Sequence, residues 1–361
     1  MEIKTEISKL HYDKNAKGWF FNVLKALSLF YGIGSGLKNR LYDKEIIKPK
    51  KVNAFVISVG NMTTGGVGKT PVVSEIANYL TAKGERVAII SRGYGAKLSN
   101  ENINVISNGS LTGWIVENGK EGTKRTFEAE LAGDEPVWLA ENSRGVCVLT
   151  CKDRYKASKY AIEKFKVTKI ILDDGFQHRK LHRDLDIVLI DSEMGFGNEN
   201  LLPAGPLREG KEAINRIDKL VVVSKNLNHT RAEKYAKIMG KKLKKDTIVC
   251  YTEPDFAYNI FAVEKHIESQ ERVVAFSAIG QPKQFYNFLK PFEVVETVDF
   301  DDHHNYTQFD ADYLVDCCRE NNAEILITTE KDAGKLKNLD FRDIKVFALK
   351  LKTKIDVSKL V

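Results

Sequence analysis

Hydrophobic positions along this chain follow two rhythms. The short apolar runs NAFVISV (53–59), RVAIIS (86–91), GVCVLT (145–150), KIILDD (169–174) and DIVLID (186–191) have the length and continuity of strands buried on both faces. PVVSEIANYL (71–80) instead repeats its apolar residues at helical spacing, and helical patterns separate several of the other runs. This alternation predicts an α/β fold built on a doubly wound parallel sheet. A second series, LVVVS (220–224), VVAFS (273–277), EVVETV (293–298), EILITT (324–329) and KVFALK (345–350), with helical patterns at 281–290 and 309–320, predicts a smaller α/β lobe. The boundary is expected near residue 224, which makes 52–224 the core and 225–361 a lobe that closes over it. Residues 97–130 are polar, carry Gly and Asn, and read as an excursion of irregular structure or short strands.

Ahead of this series lies WFFNVLKALSLFYGIGSGL (19–37), the most apolar stretch of the chain. Lys25 sits in its middle, and GIGSG at 32–36 is expected to weaken its second half. The part before Gly32 then amounts to about fourteen residues, or roughly 21 Å of helix, against a hydrocarbon core of about 30 Å. A helix lying in a membrane interface suits this pattern better than a span; an aromatic-rich core helix is the alternative.

Charge sharpens the picture. Residues 1–51 hold eleven Lys/Arg and five Asp/Glu, so they carry +6 of the chain's formal +7 and the other 310 residues are almost neutral. A basic appendage on a neutral body points to an anionic membrane surface and away from a nucleic-acid partner, which calls for a basic, aromatic-interleaved face on the folded domain. The five cysteines form no C-x-x-C pair and read as small buried apolar residues in a reducing compartment.

The strongest chemical signal is GNMTTGGVGKTP (60–71), between a predicted strand and a predicted helix. Backbone N–H groups of Thr64, Gly65, Gly66, Val67 and Gly68 can surround phosphate oxygens, with the helix N-terminus adding a favourable dipole. Lys69 then reaches the β- and γ-phosphates of a nucleotide, the Thr70 hydroxyl binds Mg²⁺, and Pro71 is tolerated in the first helical turn. Thr63 stands where the usual G-x-x-x-x-G-K-[ST] pattern has glycine. Asp173 and Asp174 end an apolar strand, as expected of the acids of an NTPase metal site; Asp-Asp-Gly is also a common strand-ending turn. No guanine-reading N-K-x-D string occurs.

With SRGYG (91–95), GDEP (133–136), PAGPLRE (203–209), DDHH (301–304) and TTEKDA (328–333), these motifs resemble in order and spacing the tetraacyldisaccharide 4'-kinase family of lipid A biosynthesis. The resemblance implies a P-loop NTPase-like core and an N-terminal membrane-contacting helix. The implied reaction transfers the γ-phosphate of ATP, with Mg²⁺, to the 4'-hydroxyl of an acylated glucosamine disaccharide 1-phosphate at the cytoplasmic face of the bacterial inner membrane. It further implies Asp134 as catalytic base with His303 as its partner, Lys69 and Arg208 on the phosphates, and Thr70, Asp173, Asp174 and Glu209 around the metal. Ser91, Arg92, Tyr94, Gln177 and His178 line the implied cleft. Asp134 before Glu135 and Pro136 also reads as a helix N-cap, the 301–304 run as a separate metal site or a solvated turn, and TTEKDA as a loop-shaping segment. The rival reading is a P-loop ATPase switch that cycles on and off membranes. Such switches often carry GKGGVGKT, and Thr63–Thr64 here replace the Gly–Lys.

Overall fold

The computed structural model describes residues 7, 9–93, 96–109, 116–117, 120–121, 132–225, 229–262, 270–280, 282–301 and 304–361. The chain forms two compact units, one of residues 1–224, 230–250 and 355–361, the other of 225–229 and 251–354. The division differs from the expected segments in two respects. Residues 1–51 belong to the first unit, and so do 230–250 and 355–361, which the sequence pattern had assigned to the second lobe.

In the first unit, α1 (Trp19–Asp43) is followed by β1 (Phe55–Asn61), α2 (Lys69–Ala82), β2 (Val87–Ser91), β3 (Asn104–Asn108), α3 (Asp134–Asn142) and β4 (Cys147–Thr150). Then come α4 (Arg154–Phe165), β5 (Lys169–Asp173), β6 (Leu185–Asp191), β7 (Lys219–Ser224) and α5 (His229–Leu243). Strand order is β7-β6-β1-β5-β2-β4-β3. All neighbours are parallel except β3, which runs antiparallel to β4. Alternate side chains serve two cores. Ile57, Val59, Ile89, Ile171 and Ile187 pack on Val72, Val73, Ile76 and Leu80 of α2, while Val56, Ala88, Ile90, Ile170 and Leu172 pack on Ala157 and Ala161 of α4. Each fully buried aliphatic side chain contributes about 1.5–3 kcal/mol. The sheet therefore holds the carboxyl ends of β1, β5 and β2 in fixed register, with Ile90 beside Leu172 and Val59 beside Asp173.

The second unit takes the later part of β8 (Asp246–Asn259), then β9 (Arg272–Ser277), α6 (Pro282–Phe288), β10 (Glu293–Asp299), α7 (Gln308–Glu320), β11 (Ile325–Thr329), α8 (Glu330–Leu336) and β12 (Lys345–Lys354). Its order is β10-β9-β11-β12-β8, parallel except for β8 against β12. The TTEKDA segment is structural here. Thr329 caps α8, and the fully buried Asp332 accepts from the Thr329 hydroxyl and from the Ala278 N–H, tying α8 to the end of β9.

The glycines at 32–36 do not break α1, which runs unbroken for 25 residues, about 37 Å at 1.5 Å per residue. Gly32 lies so close to Leu201 that an added Cβ would sit 2.9 Å from its Cδ1, so the small residue lets the helix approach the 201 loop. That docking offsets the roughly 1 kcal/mol per glycine that a helix loses relative to alanine. By length and composition α1 is the one helix among the described residues that could cross a membrane, yet one face is docked along the first unit.

Candidate active site

Between β1 and α2 the chain makes the turn that the phosphate motif requires. Gly68 holds φ at 91° directly before α2, a conformation that costs glycine little and other residues more. Thr63, the departure from the common pattern, lies in an extended bridge to Leu207, and its carbonyl accepts from the Asn61 amide at 2.7 Å. A residue in extended pairing has no need of glycine's freedom, so the substitution is compatible with the turn. The Thr64 N–H donates to Pro206 and the Arg208 N–H to Met62, which stitches the start of the loop to the PAGPLRE segment. From the N-terminal segment, the Tyr12 hydroxyl donates to the Thr64 carbonyl at 3.2 Å.

Lys69 points back toward the strand ends. Its Nζ donates to Asn61 Oδ1 at 3.1 Å and pairs with Asp174 Oδ1 at 3.4 Å. Asp173 closes β5, while Asp174 leaves the strand with φ 52°, so the two acids escape the strict alternation of a continuing strand. Arg208 Nη1 donates to both Asp174 oxygens, at 2.9 and 2.8 Å. Burial pushes the Asp174 pKa up, but the Lys69 ammonium and the Arg208 guanidinium outweigh it and hold the carboxyl below its ordinary value. Asp173 goes the other way. It is almost fully buried, and desolvation followed by the charge of Glu135 pushes its pKa up. Its Oδ1 is buried without a hydrogen-bond partner. An orphaned carboxylate oxygen beside a second acid is a hard oxygen donor suited to a divalent cation such as Mg²⁺, and Thr70, next in the chain to Lys69, adds a hydroxyl of the same chemical class.

Glu209 does not present a free carboxylate. Asn39 donates to its Oε1 at 2.9 Å, Arg216 to its Oε2 at 2.5 Å, and Gln177 reaches the same oxygen at 3.5 Å. It anchors the segment that carries Arg208. Gln177 also donates to the Asn61 carbonyl at 3.0 Å. His178 is mostly buried, and desolvation lowers its pKa to about 4, so it is neutral at physiological pH. Ser91 closes β2 next to the register of Asp173 and takes the Gly93 N–H on its hydroxyl. Arg92 is exposed, and its charge acts on Arg154.

The N-cap reading of Asp134 is replaced. Gly133 occupies the cap, and Asp134 is the first residue of α3. Glu135 follows it, and its charge acts on Asp173. Tyr94 and His303 lie outside the described residues. His304 stacks on Phe300 and pairs with Asp310 Oδ2 at 3.1 Å, and no group of three or more His, Cys, Asp or Glu residues suited to a metal occurs among the described residues.

The sequence profile described as tetraacyldisaccharide-1-P 4'-kinase matches residues 20–361. The chain belongs to this family. A tetraacyldisaccharide 4'-kinase of Syntrophus aciditrophicus is 36% identical over 335 residues, covering 89% of this chain and 86% of the relative. That of Aquifex aeolicus is 38% identical over 323 residues, with 88% and 90% covered. The crystal structure of the "apo" form of the Aquifex aeolicus family member LpxK in complex with ATP superposes with a TM-score of 0.72 at 35% identity, covering 94% of this chain and 97% of that one.

Within this tetraacyldisaccharide 4'-kinase family member, several site residues had no role assigned from the sequence, Asn61 among them although it lies inside the 60–71 motif. Arg154, at the start of α4, is buried and donates to the carbonyls of Asp173 and Asp174 at 3.3 and 3.5 Å. Asn61 bridges Lys69 and the loop. From α1, Tyr31 donates to the Arg208 carbonyl at 2.8 Å, Lys38 to the Gln177 carbonyl at 3.2 Å, and Asn39 to Glu209. These three polar side chains of α1 thus reach the protein. Its outer face exposes Trp19, Val23, Leu27, Phe30, Ile33 and Leu37, a ridge of about 27 Å. The cysteines are free and buried, and burial pushes Cys147 up to about 11, which keeps that thiol protonated.

Proposed function

We propose that this chain is an ATP-dependent kinase that phosphorylates the 4'-hydroxyl of a tetraacylated glucosamine disaccharide 1-phosphate. The observation that carries this reading is the convergence of Lys69 and Arg208 on Asp174, beside an α1 whose outer face is apolar. A phosphate-neutralising pair and a lipid-compatible surface suit a soluble nucleotide and an acylated acceptor.

ATP lies on the 64–68 turn, where the backbone N–H groups and the dipole of α2 meet its phosphates. Lys69 and Arg208 exchange their contact with Asp174 for the transferring phosphoryl group and neutralise its charge, which is the main demand of a loose phosphoryl-transfer transition state. Thr70, Asp173 and Asp174 would hold Mg²⁺, which would supply further neutralisation of phosphate charge. Asp134, in the first turn of α3, orients the 4'-hydroxyl and takes its proton, with His303 as its partner. Ser91, Arg92, Tyr94, Gln177 and His178 line the cleft. The α1 ridge rests on the anionic cytoplasmic face of the bacterial inner membrane, where the acyl chains of the acceptor reside. Hydrogen bonds from the inner face of α1 to the 177 and 201–209 segments favour an interfacial helix over a span, because a span would have to give them up.

Thin-layer analysis of γ-labelled ATP incubated with the disaccharide lipid tests the reaction. Label should move to the lipid with the wild-type chain and not with Lys69→Ala or Asp134→Ala. Release of inorganic phosphate alone would instead identify an ATPase switch.

A further inference from the structure

A block of positive charge lies on the first unit outside the site. Residues 229–245, α5 and the turn after it, contain seven Lys/Arg and one acid. Ala232, Ala236 and Met239 bury one side of α5. The other side exposes Lys234, Lys237, Lys241 and Lys242 around Ile238, which is 60% exposed, and Lys244 follows in the turn, also exposed. Arg231 pairs with Glu193 at 3.0 Å and Lys245 reaches the Asn215 carbonyl at 3.4 Å. The five exposed lysines make no salt bridge among the described residues. Their like charges repel one another around an apolar side chain that water also disfavours.

This face adjoins the start of α1. The charges of Lys242 and Lys14 both act on Glu199. The Tyr235 hydroxyl of α5 packs on Gly195, and the His11 carbonyl packs on Gly197 of the same turn. The first turns of α1 follow directly, with Trp19 79% exposed.

We propose that the Lys234–Lys244 face of α5 is a second contact with an anionic lipid surface, one that acts together with the α1 ridge. The inference rests on the membrane reading of α1. Lysines set around an exposed Ile and next to an aromatic, apolar helix match the lipid interface, where the cations meet headgroups and the apolar residues enter the acyl boundary. A nucleic acid satisfies the charge but leaves Ile238 and Trp19 in water.

The test uses the full chain and the triple variant Lys237→Gln/Lys241→Gln/Lys242→Gln, none of which lies at the active site. Binding to phosphatidylglycerol-containing vesicles and to neutral phosphatidylcholine vesicles is measured by cosedimentation. Each near-surface lysine strengthens anionic-membrane binding roughly fivefold at low salt. After screening at physiological salt, the triple variant should bind anionic vesicles at least about tenfold more weakly. Its binding to neutral vesicles and its kinase rate on detergent-dispersed substrate should be unchanged, and the Lys→Arg triple variant should bind as the wild type does. Equal binding of the glutamine variant and the wild type to anionic vesicles would overturn the α5 proposal while leaving the α1 reading intact. A wild-type chain with no preference for anionic vesicles would overturn both. Loss of binding in the arginine variant as well would point to packing instead of charge, and tighter wild-type binding to single-stranded DNA than to vesicles would replace the lipid with a nucleic acid.

Discussion

Arg154→Met is the sharpest test of the electrostatic design beneath the acid pair. Arg154 is about 5% exposed, and its guanidinium donates to the Asp173 and Asp174 carbonyls. Its charge is coupled to both carboxylates. At an effective dielectric near 20, a cation and a carboxylate about 6–8 Å apart attract by about 2–3 kcal/mol, which sets the scale of the effect. Methionine keeps much of the volume and removes that charge. Stability should change little, because the loss of two long hydrogen bonds is opposed by relief of the cost of burying the guanidinium. Chemistry should respond more. Asp173 is already hard to ionise through burial and the Glu135 charge, and losing a neighbouring cation makes ionisation harder still. Allowing for relaxation, kcat/KM at neutral pH should fall about tenfold, equivalent to about 1.4 kcal/mol, and the loss should shrink as pH rises. Arg154→Lys, which keeps the charge, should retain most of the activity. The assay is a pH–rate profile of the three proteins together with their melting temperatures. A methionine variant with the wild-type acid limb would refute this reasoning, even if its rate were low.

Two further predictions follow from the same neighbourhood. Asn39→Leu removes the donor to the buried Glu209, and a hydrogen bond to a charged group is worth about 1.5–3 kcal/mol. Transfer to detergent-dispersed substrate should fall roughly tenfold while vesicle binding holds, and a variant that lost only vesicle binding would show α1 to be an anchor alone. The pKa of His178 is lowered from 6.5 to about 4, so the unfolded chain takes up this proton first as pH falls. Stability from the neutral ring is fully present above pH 6.5 and is lost as pH drops toward 4. The melting temperature of His178→Gln should therefore decline less across that window than that of the wild type, and parallel declines would contradict the assignment.

What the sequence determined by itself was local and periodic. Continuous apolar runs identified the buried parallel strands, since a strand covered on both faces can carry few polar residues. GGVGKT and Asp173–Asp174 identified the phosphate end of the sheet, because a turn against phosphate needs glycine and charge at fixed offsets within a few residues. Contacts between distant segments were beyond its reach. GIGSG read as a helix break until docking against Leu201 supplied the stabilisation that glycine lacks. The resemblance implied Glu209 only as an acid around the metal, and the contacts of Asn39, Gln177 and Arg216, which reach it from three separate segments, could not be read from the sequence. Arg154 carried no motif, since its meaning lies wholly in the two carbonyls its burial brings within reach. The near-neutral total over residues 52–361 likewise concealed the lysine face of α5. Net charge sums over a segment, whereas a partner meets only the charges that folding gathers onto one surface.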